Sequence, residues 1–510
     1  MGIILRGSRG APSATTLAGP AAPHDRTART LGPMSTDPHR PAPHTPDEPH
    51  RTQILADVAA LKDSFAAGTT RGIDARLAQL EALRRGLRRE EPRLARALAE
   101  DLGKSRTESA LTEIGVVSQE IAHVQKHLRS WLRPQRLSLG PMLAPASGAL
   151  HREPLGTTLL IAPWNYPVNL TLAPLIAAIA GGNTVLVKPS EVAPATSSAL
   201  AHLLRTHLDP GWVRVVEGGV EETTLLLEQR FDLIFYTGNG AVGRVVARAA
   251  AEHLTPTVLE LGGKSPVFVD EGVDLAVAAR RIVWGKFTNA GQTCIAPDYL
   301  MATPHTLECL RPHLRRAVRA LYGARPERSP DYGRMVSERH FDRVRALIDD
   351  ETAIVGGTTG ADRGSRFLPP TILDGADWGD PVMGEEIFGP VLPLLAVSGP
   401  DEAIARIRER DKPLTAYVFS SRRAVEERFA AETSSGSLAL GLTLAHVGTP
   451  GMPFGGVGES GMGAYHGRTG VEAFTHAKPV VRKPLRPDTL RLVYPPRGRV
   501  RRALLRRLMR

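Results

Sequence analysis

The sequence contains very little cysteine, since Cys294 and Cys309 are the only two among its 510 residues. Two cysteines cannot build a disulfide framework, and such low use is typical of the reducing cytoplasm. No apolar run approaches the roughly 18 residues of a membrane-spanning helix. The apolar run in the N-terminal stretch MGIILRGSRG is too short for the core of a signal peptide. No cluster of side chains has the spacing of a metal site. We therefore predict a cytoplasmic protein that needs no metal.

Excess positive charge is absent from most of the chain, although the formal net charge is +11. Residues 478–510 hold twelve Lys or Arg residues and one acid, Asp488, and twelve minus one accounts for the whole surplus. The neutral remainder argues against nucleic-acid binding by the folded body. The final RVRRALLRRLMR is a basic amphipathic segment that could contact anionic lipid. Because so short a helix is marginal in water, we favour a solvated tail over residues 481–510 instead of peripheral membrane contact.

The first third of the chain changes pattern twice. Residues 1–50 carry nine prolines and no periodic apolar pattern, which predicts a disordered leader whose true start is Met1 or Met34. From residue 51 to residue 132, apolar residues recur at steps of three and four, as amphipathic helices require. Residues 137–152 are rich in Gly, Ala and Pro and are predicted to be irregular.

From Thr157 onwards, short apolar runs alternate with Ala-rich helical stretches. Each run is apolar on both faces and stops at Pro or Gly; the runs are TLLIAP, TVLVKP, VRVVEG, LIFYTG and TVLELG. Such runs, separated by helices, indicate a parallel sheet covered on both sides. A doubly wound sheet binds ligands at the carboxyl ends of its strands, where the conspicuous polar residues of this region lie.

A second alternating region covers residues 265–436 and contains Cys294. Its clearest predicted strands are FLPPTILDG and PVLPLLAVS, and residues 438–447 form another strand-like run. The glycine-rich stretch GTPGMPFGGVGESGMGAYHG follows. We interpret it as flexible backbone and not as part of a hydrophobic core.

Cys294 lies at the centre of the stretch WGKFTNAGQTCIAPDY. It follows a tight polar turn and precedes small apolar residues, so its thiol can lie at the floor of a cleft beside backbone N–H groups. That setting lowers the pKa of a thiol and makes it a nucleophile. The alternative is a buried cysteine that packs as a small hydrophobe, which is also the interpretation of Cys309.

The stretch TGNGAVG follows a strand, opens a helix and fits the pattern G-x-G-x-x-G at Gly238, Gly240 and Gly243. In dinucleotide-binding proteins this pattern is followed, about 20 residues on, by an acid that binds a ribose. Glu260 falls at that distance. However, Glu260 ends the next predicted strand, in LELGGKSP, where it could equally face the thiol. The residues alone leave both interpretations open.

Seven motifs occur in one order over some 300 residues: PWNYP, KPSE, TGNGAVG, LELGGKSP, GQTCIAPDY, EEIFGP and PFGGVGESGMGAYHG. In this combination the chain resembles the aldehyde dehydrogenase superfamily over about residues 55–480. GQTCIAPDY and GMGAYHG resemble its class 3 branch, which handles fatty, aromatic and related aldehydes. The resemblance implies NAD(P)-dependent oxidation of a small-molecule aldehyde to its carboxylate.

The resemblance also implies catalytic roles. Cys294 would add to the aldehyde carbon, and Asn165 with the Cys294 backbone N–H would stabilise the resulting oxyanion. Glu260 would act as general base in hydrolysis of the thioester, and the ribose interpretation of Glu260 would then be wrong. Tyr166 and His446 are assigned to the aldehyde tunnel, with a structural histidine as the alternative for His446.

The cofactor is expected to be NAD, with NADP also possible. By resemblance, Glu191 would accept a hydrogen bond from the adenosine 2′-hydroxyl, and Lys188 could tolerate a 2′-phosphate. The pyrophosphate would lie over the helix start formed by Gly238, Asn239, Gly240, Val242 and Gly243. Glu386 would hold the nicotinamide ribose, with Phe388 packed beside it. The alternatives are a turn-capping Asn165, a solvated surface Lys188 and an ordinary first-turn helix acid at Glu191.

The implied architecture is α/β, with a doubly wound parallel-sheet cofactor domain (residues 51–134 and 154–261) and a second α/β catalytic domain (262–436). Residues 135–153 and 445–480 would bridge the domains and join two copies as a homodimer. The sequence departs from the superfamily at Asn239-Gly240, which replaces a Ser-Thr pair, and at Gly441-Leu442, where this branch commonly has Asn-Asp. Three alternatives stay open: a coenzyme-A-acylating relative, a non-catalytic NAD-binding protein and a lipid-binding protein.

Overall fold

The computed structural model describes residues 48–140, 143–496 and 498–508. The predicted disordered leader lies outside the described residues, except for residues 48–50. These three residues are helical, since the first helix begins at Glu48.

The predicted helical region before residue 132 is confirmed. Its apolar stripes are buried, with Leu80, Leu87, Leu98 and Val124 in one core. The helices are α1 (Glu48–Ala66), α2 (Ile73–Leu102), α3 (Arg106–Ser109) and α4 (Gly115–Trp131), with a π-helical turn at Ala110–Ile114 between α3 and α4.

Each predicted run from TLLIAP to PVLPLLAVS contains a strand, and further strands lie outside these runs. In chain order they are β1 (Gln135–Leu137), β2 (Ser147–Pro154), β3 (Thr157–Ile161), β4 (Thr184–Lys188), β5 (Val213–Val215), β6 (Leu233–Thr237), β7 (Thr257–Glu260), β8 (Pro266–Val269), β9 (Tyr299–Ala302), β10 (Ala353–Val355), β11 (Thr371–Leu373), β12 (Val391–Ala396), β13 (Thr415–Phe419), β14 (Ser437–Leu440), β15 (Gly461–Met462) and β16 (Thr475–Arg482).

The remaining helices lie between these strands, except for α15, which follows the last strand. They are α5 (Pro167–Gly181), α6 (Pro194–His207), α7 (Val220–Leu227), α8 (Gly240–Glu252), α9 (Leu275–Phe287), α10 (Pro304–Tyr322), α11 (Glu338–Arg345), α12 (Pro400–Arg408), α13 (Arg423–Glu432), α14 (Gly467–Ala473) and α15 (Arg499–Leu508). Among the described residues, none of these helices is long and apolar enough to cross a membrane.

The first sheet is doubly wound. Its order is β15-β7-β6-β3-β4-β5, and its strands are parallel except for β15, which runs antiparallel to β7. The chain starts at β3, adds β4 and β5 on one side, and then adds β6 and β7 on the other. The carboxyl ends of β3 and β6 therefore flank the crevice in which such sheets bind ligands.

The second sheet has the order β10-β11-β12-β9-β8-β13-β14 and is parallel except at β10. Its own apolar core contains Phe268, Leu300, Leu392 and Tyr417. The loop that carries Cys294 connects α9 to β9, the central strand of this sheet.

Three local predictions are wrong. Residues 147–152 are not irregular, because β2 pairs with β16 over eight positions, from Ser147↔Arg482 to Pro154↔Thr475. The strand-like run 438–447 ends at Leu440, because Gly441 takes φ +69° and the Thr443 hydroxyl donates to the Arg281 carbonyl.

The glycine-rich stretch is tightly packed and not a flexible loop. A Cβ on Gly456 would lie 1.9 Å from the Ser460 carbonyl oxygen, and one on Gly455 would lie 2.1 Å from the Gly463 carbonyl oxygen. Phe454 and Tyr465 from the same stretch belong to the first core. These glycines therefore allow close approach of backbone to backbone.

Candidate active site

The turn that carries Cys294 has unusual backbone geometry. Asn289 and Ala290 take φ of 53° and 51°, a left-handed conformation that is uncommon for residues other than glycine. A Cβ on the following Gly291 would lie 2.2 Å from the Gly389 carbonyl oxygen. The buried Gln292 side chain donates to the Arg334 carbonyl (2.9 Å) and accepts from the Val336 N–H (2.9 Å). Surrounding structure thus holds a strained turn in place, as is common at functional sites.

The Cys294 thiol lies beside the Glu260 carboxyl group at the end of β7. Burial raises the pKa of Cys294 well above its ordinary range, and the nearby Glu260 and Glu386 carboxylates raise it further. The prediction of a lowered thiol pKa is therefore wrong for this structure. The Cys294 backbone N–H favours the thiolate, but desolvation and two acidic neighbours outweigh it.

Burial likewise raises the pKa of Glu260 to about 8. The residue is 2% exposed, and its Oε1 atom has no hydrogen-bond partner among the described residues. The Cys294 thiol and the Thr237 hydroxyl lie near enough to lower this pKa, but they only partly offset burial. A carboxyl group with a pKa near neutrality, next to a thiol, is suited to proton transfer.

Asn165 and Tyr166 reach the same turn from the end of β3. Asn165 Nδ2 donates to the Gln292 carbonyl (3.2 Å), and the Tyr166 hydroxyl bonds the Thr293 hydroxyl (2.8 Å). Both residues are buried. The Asn165 amide is therefore fixed beside the Cys294 loop and is more than a cap of its own turn.

The two residues assigned to the adenosine ribose form an ion pair. Lys188 Nζ lies 2.7 Å from Glu191 Oε2, with the lysine buried and the carboxylate half exposed. Burial excludes the solvated-surface alternative for Lys188. Glu191 precedes α6, which begins at Pro194, so it is not a first-turn helix acid. The pair presents both a cation and a carboxylate at the carboxyl end of β4.

The motif TGNGAVG forms the start of α8, at the carboxyl end of β6. Asn239 Oδ1 accepts from the Val242 N–H (2.9 Å) and so caps the helix. Gly238 and Gly243 have no room for a side chain, since added Cβ atoms would lie 2.2 Å from Tyr236 Oη and 2.8 Å from Leu261 Cδ2. Gly240 is the first residue of the helix. This capped helix start lies at the crevice between β3 and β6, where a dinucleotide pyrophosphate fits.

Glu386 approaches the site from the far side. A Cβ on Gly262 would lie 2.0 Å from Glu386 Oε2, so this carboxyl group lies directly against the Gly262 backbone. Burial and the Asp298 carboxylate raise the pKa of Glu386 to about 8. Phe388 takes φ +45°, and its ring meets the Trp164 ring edge-on at 5.3 Å. Glu191 and Glu386 can accept hydrogen bonds from ribose hydroxyls, and the start of α8 can donate to a pyrophosphate. Together these groups fit a dinucleotide.

His446 lies beside Ser437 and Tyr417. Its Nε2 lies 3.1 Å from the Ser437 hydroxyl, and its ring is edge-on to Tyr417 at 6.1 Å. Burial lowers the pKa of His446 to about 4, so the ring is neutral at pH 7. Tyr417 in turn donates to the Ile295 carbonyl (2.6 Å), next to the nucleophile loop.

Comparison with known proteins decides the family. Residues 44–480 match the aldehyde dehydrogenase family. The chain belongs to the aldehyde dehydrogenase family.

Relatives place this aldehyde dehydrogenase near class 3 members. It is 44% identical over 446 residues to the dimeric NADP-preferring aldehyde dehydrogenase of Rattus norvegicus, covering 87% of this chain and 98% of the relative. Identity to aldehyde dehydrogenase family 3 member H1 of Arabidopsis thaliana is 44%, over 89% and 94% of the two chains. The substrate-bound state of Staphylococcus aureus AldH superimposes with a TM-score of 0.87 at 39% identity, over 90% and 99% of the chains.

The predictions of family, fold class, enzyme class and cofactor are confirmed. This aldehyde dehydrogenase oxidises an aldehyde to its carboxylate with NAD or NADP. The domain boundaries and the individual roles of the site residues stay predictions.

Sequence reasoning missed four residues that hold this aldehyde dehydrogenase's site in shape. Lys104 and Asn289 both donate to the Asn165 carbonyl, at 2.9 and 2.8 Å. Glu113 pairs with Lys104, and Arg343 donates to the Ile387 carbonyl (2.6 Å) next to Glu386. Lys104 lies in the short connection between α2 and α3, and Glu113 lies in the π-helical turn. Neither residue belongs to a predicted apolar stripe, so the local pattern carried no signal for them.

Proposed function

We propose that this aldehyde dehydrogenase acts through a covalent intermediate on Cys294, with Glu260 as general base and Asn165 as oxyanion donor. The observation that carries the proposal is the contact between the partly buried Cys294 thiol and the buried Glu260 carboxyl group. The Asn165 amide bonds the Gln292 carbonyl, two residues before Cys294.

The first step is addition of the thiol to the aldehyde. Glu260 in its carboxylate form accepts the thiol proton, and the thiolate sulfur bonds to the carbonyl carbon. The carbonyl oxygen becomes an oxyanion that accepts hydrogen bonds from Asn165 Nδ2 and the Cys294 N–H. Asn165 Nδ2 carries two hydrogens, of which one is bonded to the Gln292 carbonyl. The second is available to the oxyanion.

The second step releases the acid. Bound NAD or NADP would supply the hydride acceptor that converts the adduct to a thioester on Cys294. Before hydrolysis, Glu260 releases the thiol proton to solvent and becomes a carboxylate again. It then takes a proton from a water molecule as the water oxygen attacks the thioester carbon. The carbon–sulfur bond breaks, the carboxylate product leaves, and the sulfur recovers a proton. A carboxyl group with a pKa of about 8 can both accept and return that proton.

We further propose how the cofactor is held. Glu191 accepts from the adenosine 2′-hydroxyl, while Lys188 offers a cation to a 2′-phosphate; their ion pair supports use of both cofactors. The N-terminus of α8 binds the pyrophosphate, and Glu386 binds the nicotinamide ribose beside Phe388. Tyr166 and His446 are proposed to line the aldehyde tunnel, with Tyr166 better supported because it contacts Thr293.

A panel of aliphatic and aromatic aldehydes, assayed with NAD and with NADP, tests this function through the absorbance of the reduced cofactor. Trapped protein from a single turnover should gain the mass of the acyl group on Cys294. Turnover of the Cys294→Ser variant at the wild-type rate would overturn the proposal.

A homodimer in the cytoplasm completes the proposal. The rat relative is named dimeric. Strand β16 is an edge strand whose Val480 and Val481 are 40% and 54% exposed, a surface suited to a second copy. Both cysteines are free, as in a reducing compartment. Light scattering of the purified chain and fractionation of its source cells test the two statements; a monomer, or recovery outside the cytoplasm, would contradict them.

A further inference from the structure

A fully buried ion pair lies beneath the turn that carries Asn165. Lys104 Nζ and Glu113 Oε1 are 2.6 Å apart, and both side chains are 0% exposed. Neither residue touches the aldehyde-reacting atoms. A buried ion pair is weak evidence for stability, because desolvation of two charges offsets their attraction. Its location therefore calls for another explanation.

Lys104 holds one end of the turn. Its ammonium group donates to the Asn165 carbonyl (2.9 Å) and lies 3.8 Å above the centre of the Tyr166 ring. Asn289 Nδ2 donates to the same carbonyl (2.8 Å) and also to the Gln292 carbonyl (3.1 Å). The backbone of Asn165 and the loop before Cys294 are thus fixed by shared hydrogen bonds.

Glu113 holds the other end. Its Oε2 accepts from the Asn169 N–H (2.8 Å), in the first turn of α5, which begins two residues after Asn165. A carboxylate at a helix N-terminus is stabilised by the unpaired N–H groups there. Glu113 reaches this position from the π-helical turn Ala110–Ile114. Such turns are rare and occur often at functional sites.

We infer that Lys104 and Glu113 are positioning residues that fix the Asn165 side-chain amide at the oxyanion position. The inference rests on the proposed role of Asn165. Within one ion pair, Lys104 binds the Asn165 carbonyl and Glu113 binds the first turn of α5. The Asn165 carbonyl and the start of α5 therefore cannot move independently. The same ammonium group packs on Tyr166, whose hydroxyl bonds Thr293 beside the nucleophile.

The decisive experiment is a double-mutant cycle between Lys104→Met and Asn165→Ala. In the wild-type background we expect Lys104→Met to lower kcat about 100-fold, since displacement or loss of one oxyanion donor has effects of this size. The KM for NAD should stay within about twofold, because the cofactor residues are untouched. In the Asn165→Ala background the same substitution should lower kcat by less than about threefold, because the group that it positions is gone.

Arg76→Met is the matched control. Arg76 is also a buried cation, but it lies on α2 and donates to the Ala180 and Gly181 carbonyls at the C-terminal end of α5, far from the end that follows Asn165. It should lower the melting temperature and leave kcat within about threefold. If Lys104→Met does not fold, Lys104→Met/Glu113→Leu removes both charges together and enters the cycle in its place, since replacement of the whole pair is better tolerated.

The outcomes separate the inference from the proposed function. If Asn165→Ala leaves kcat unchanged, the oxyanion role itself is wrong. If Asn165→Ala lowers kcat but Lys104→Met does not, only the positioning role is overturned. Equal fold-losses from Lys104→Met in both backgrounds, or a comparable loss from Arg76→Met, would reduce Lys104 to a general structural role.

Discussion

Replacement of Glu260 by glutamine separates its two interpretations. The substitution keeps the size of a side chain that is 2% exposed and removes only its ability to accept a proton. If Glu260 is the base for hydrolysis, Glu260→Gln still forms the thioester. One equivalent of reduced cofactor should then appear as a burst, followed by a slow steady state.

The magnitude follows from the site. Loss of a general base lowers the rate by about 10²–10⁴-fold, so the two phases should be well resolved. The pKa of about 8 adds a pH signature. Because this pKa is raised, the group is roughly one-tenth ionised at pH 7 and nine-tenths at pH 9, so wild-type hydrolysis should rise about tenfold over that interval. Glu260→Gln should lose that rise.

Stopped-flow absorbance of the reduced cofactor and mass spectrometry of the quenched protein measure the burst and the acyl-enzyme. Glu386→Gln is the matched control, since burial raises the pKa of this carboxyl group to about 8 as well. The Glu386→Gln variant should have a higher KM for NAD, and acyl-enzyme should not accumulate. Recovery of the Glu260→Gln rate at saturating NAD, with no acyl-enzyme, would refute the assignment and favour ribose binding.

The remaining predictions concern four other sites. Cys294→Ser should lower turnover by several orders of magnitude with cofactor binding intact, whereas Cys309→Ser should be nearly silent; equal losses in steady-state assays would contradict the choice of nucleophile. Glu191→Gln should weaken NAD more than NADP in titrations, because the carboxylate pairs with a 2′-hydroxyl and repels a 2′-phosphate; equal effects would remove it from the ribose site. Arg76→Met should reduce the free energy of unfolding by roughly 2–4 kcal/mol in denaturant titration, since four carbonyls lose a buried donor. Removal of residues after Pro496 should not change binding to anionic vesicles; loss of binding would make the tail a lipid contact.

Local patterns predicted the secondary structure well where each element buries its own apolar residues. The run TVLVKP gave β4, and the steps of three and four gave α2, because periodicity reflects burial directly. The prediction was wrong for β2, whose pairing partner β16 lies some 320 residues further along the chain. Nothing local in residues 147–154 indicates a strand that only a distant partner completes.

The sequence by itself determined the chemistry, because a thiol, a carboxylate and an amide occur in family motifs at Cys294, Glu260 and Asn165. Only the tertiary structure decided their protonation. Burial and the carboxylates of Glu260 and Glu386, which are distant along the chain, raise the pKa of the thiol that its own turn was expected to lower. Desolvation and Coulomb interactions depend on distance in space, not on distance along the chain. For the same reason, the sequence could not show that the Lys104–Glu113 ion pair lies beneath Asn165. The fold brings Lys104 to Asn165, which is 61 positions further along the chain.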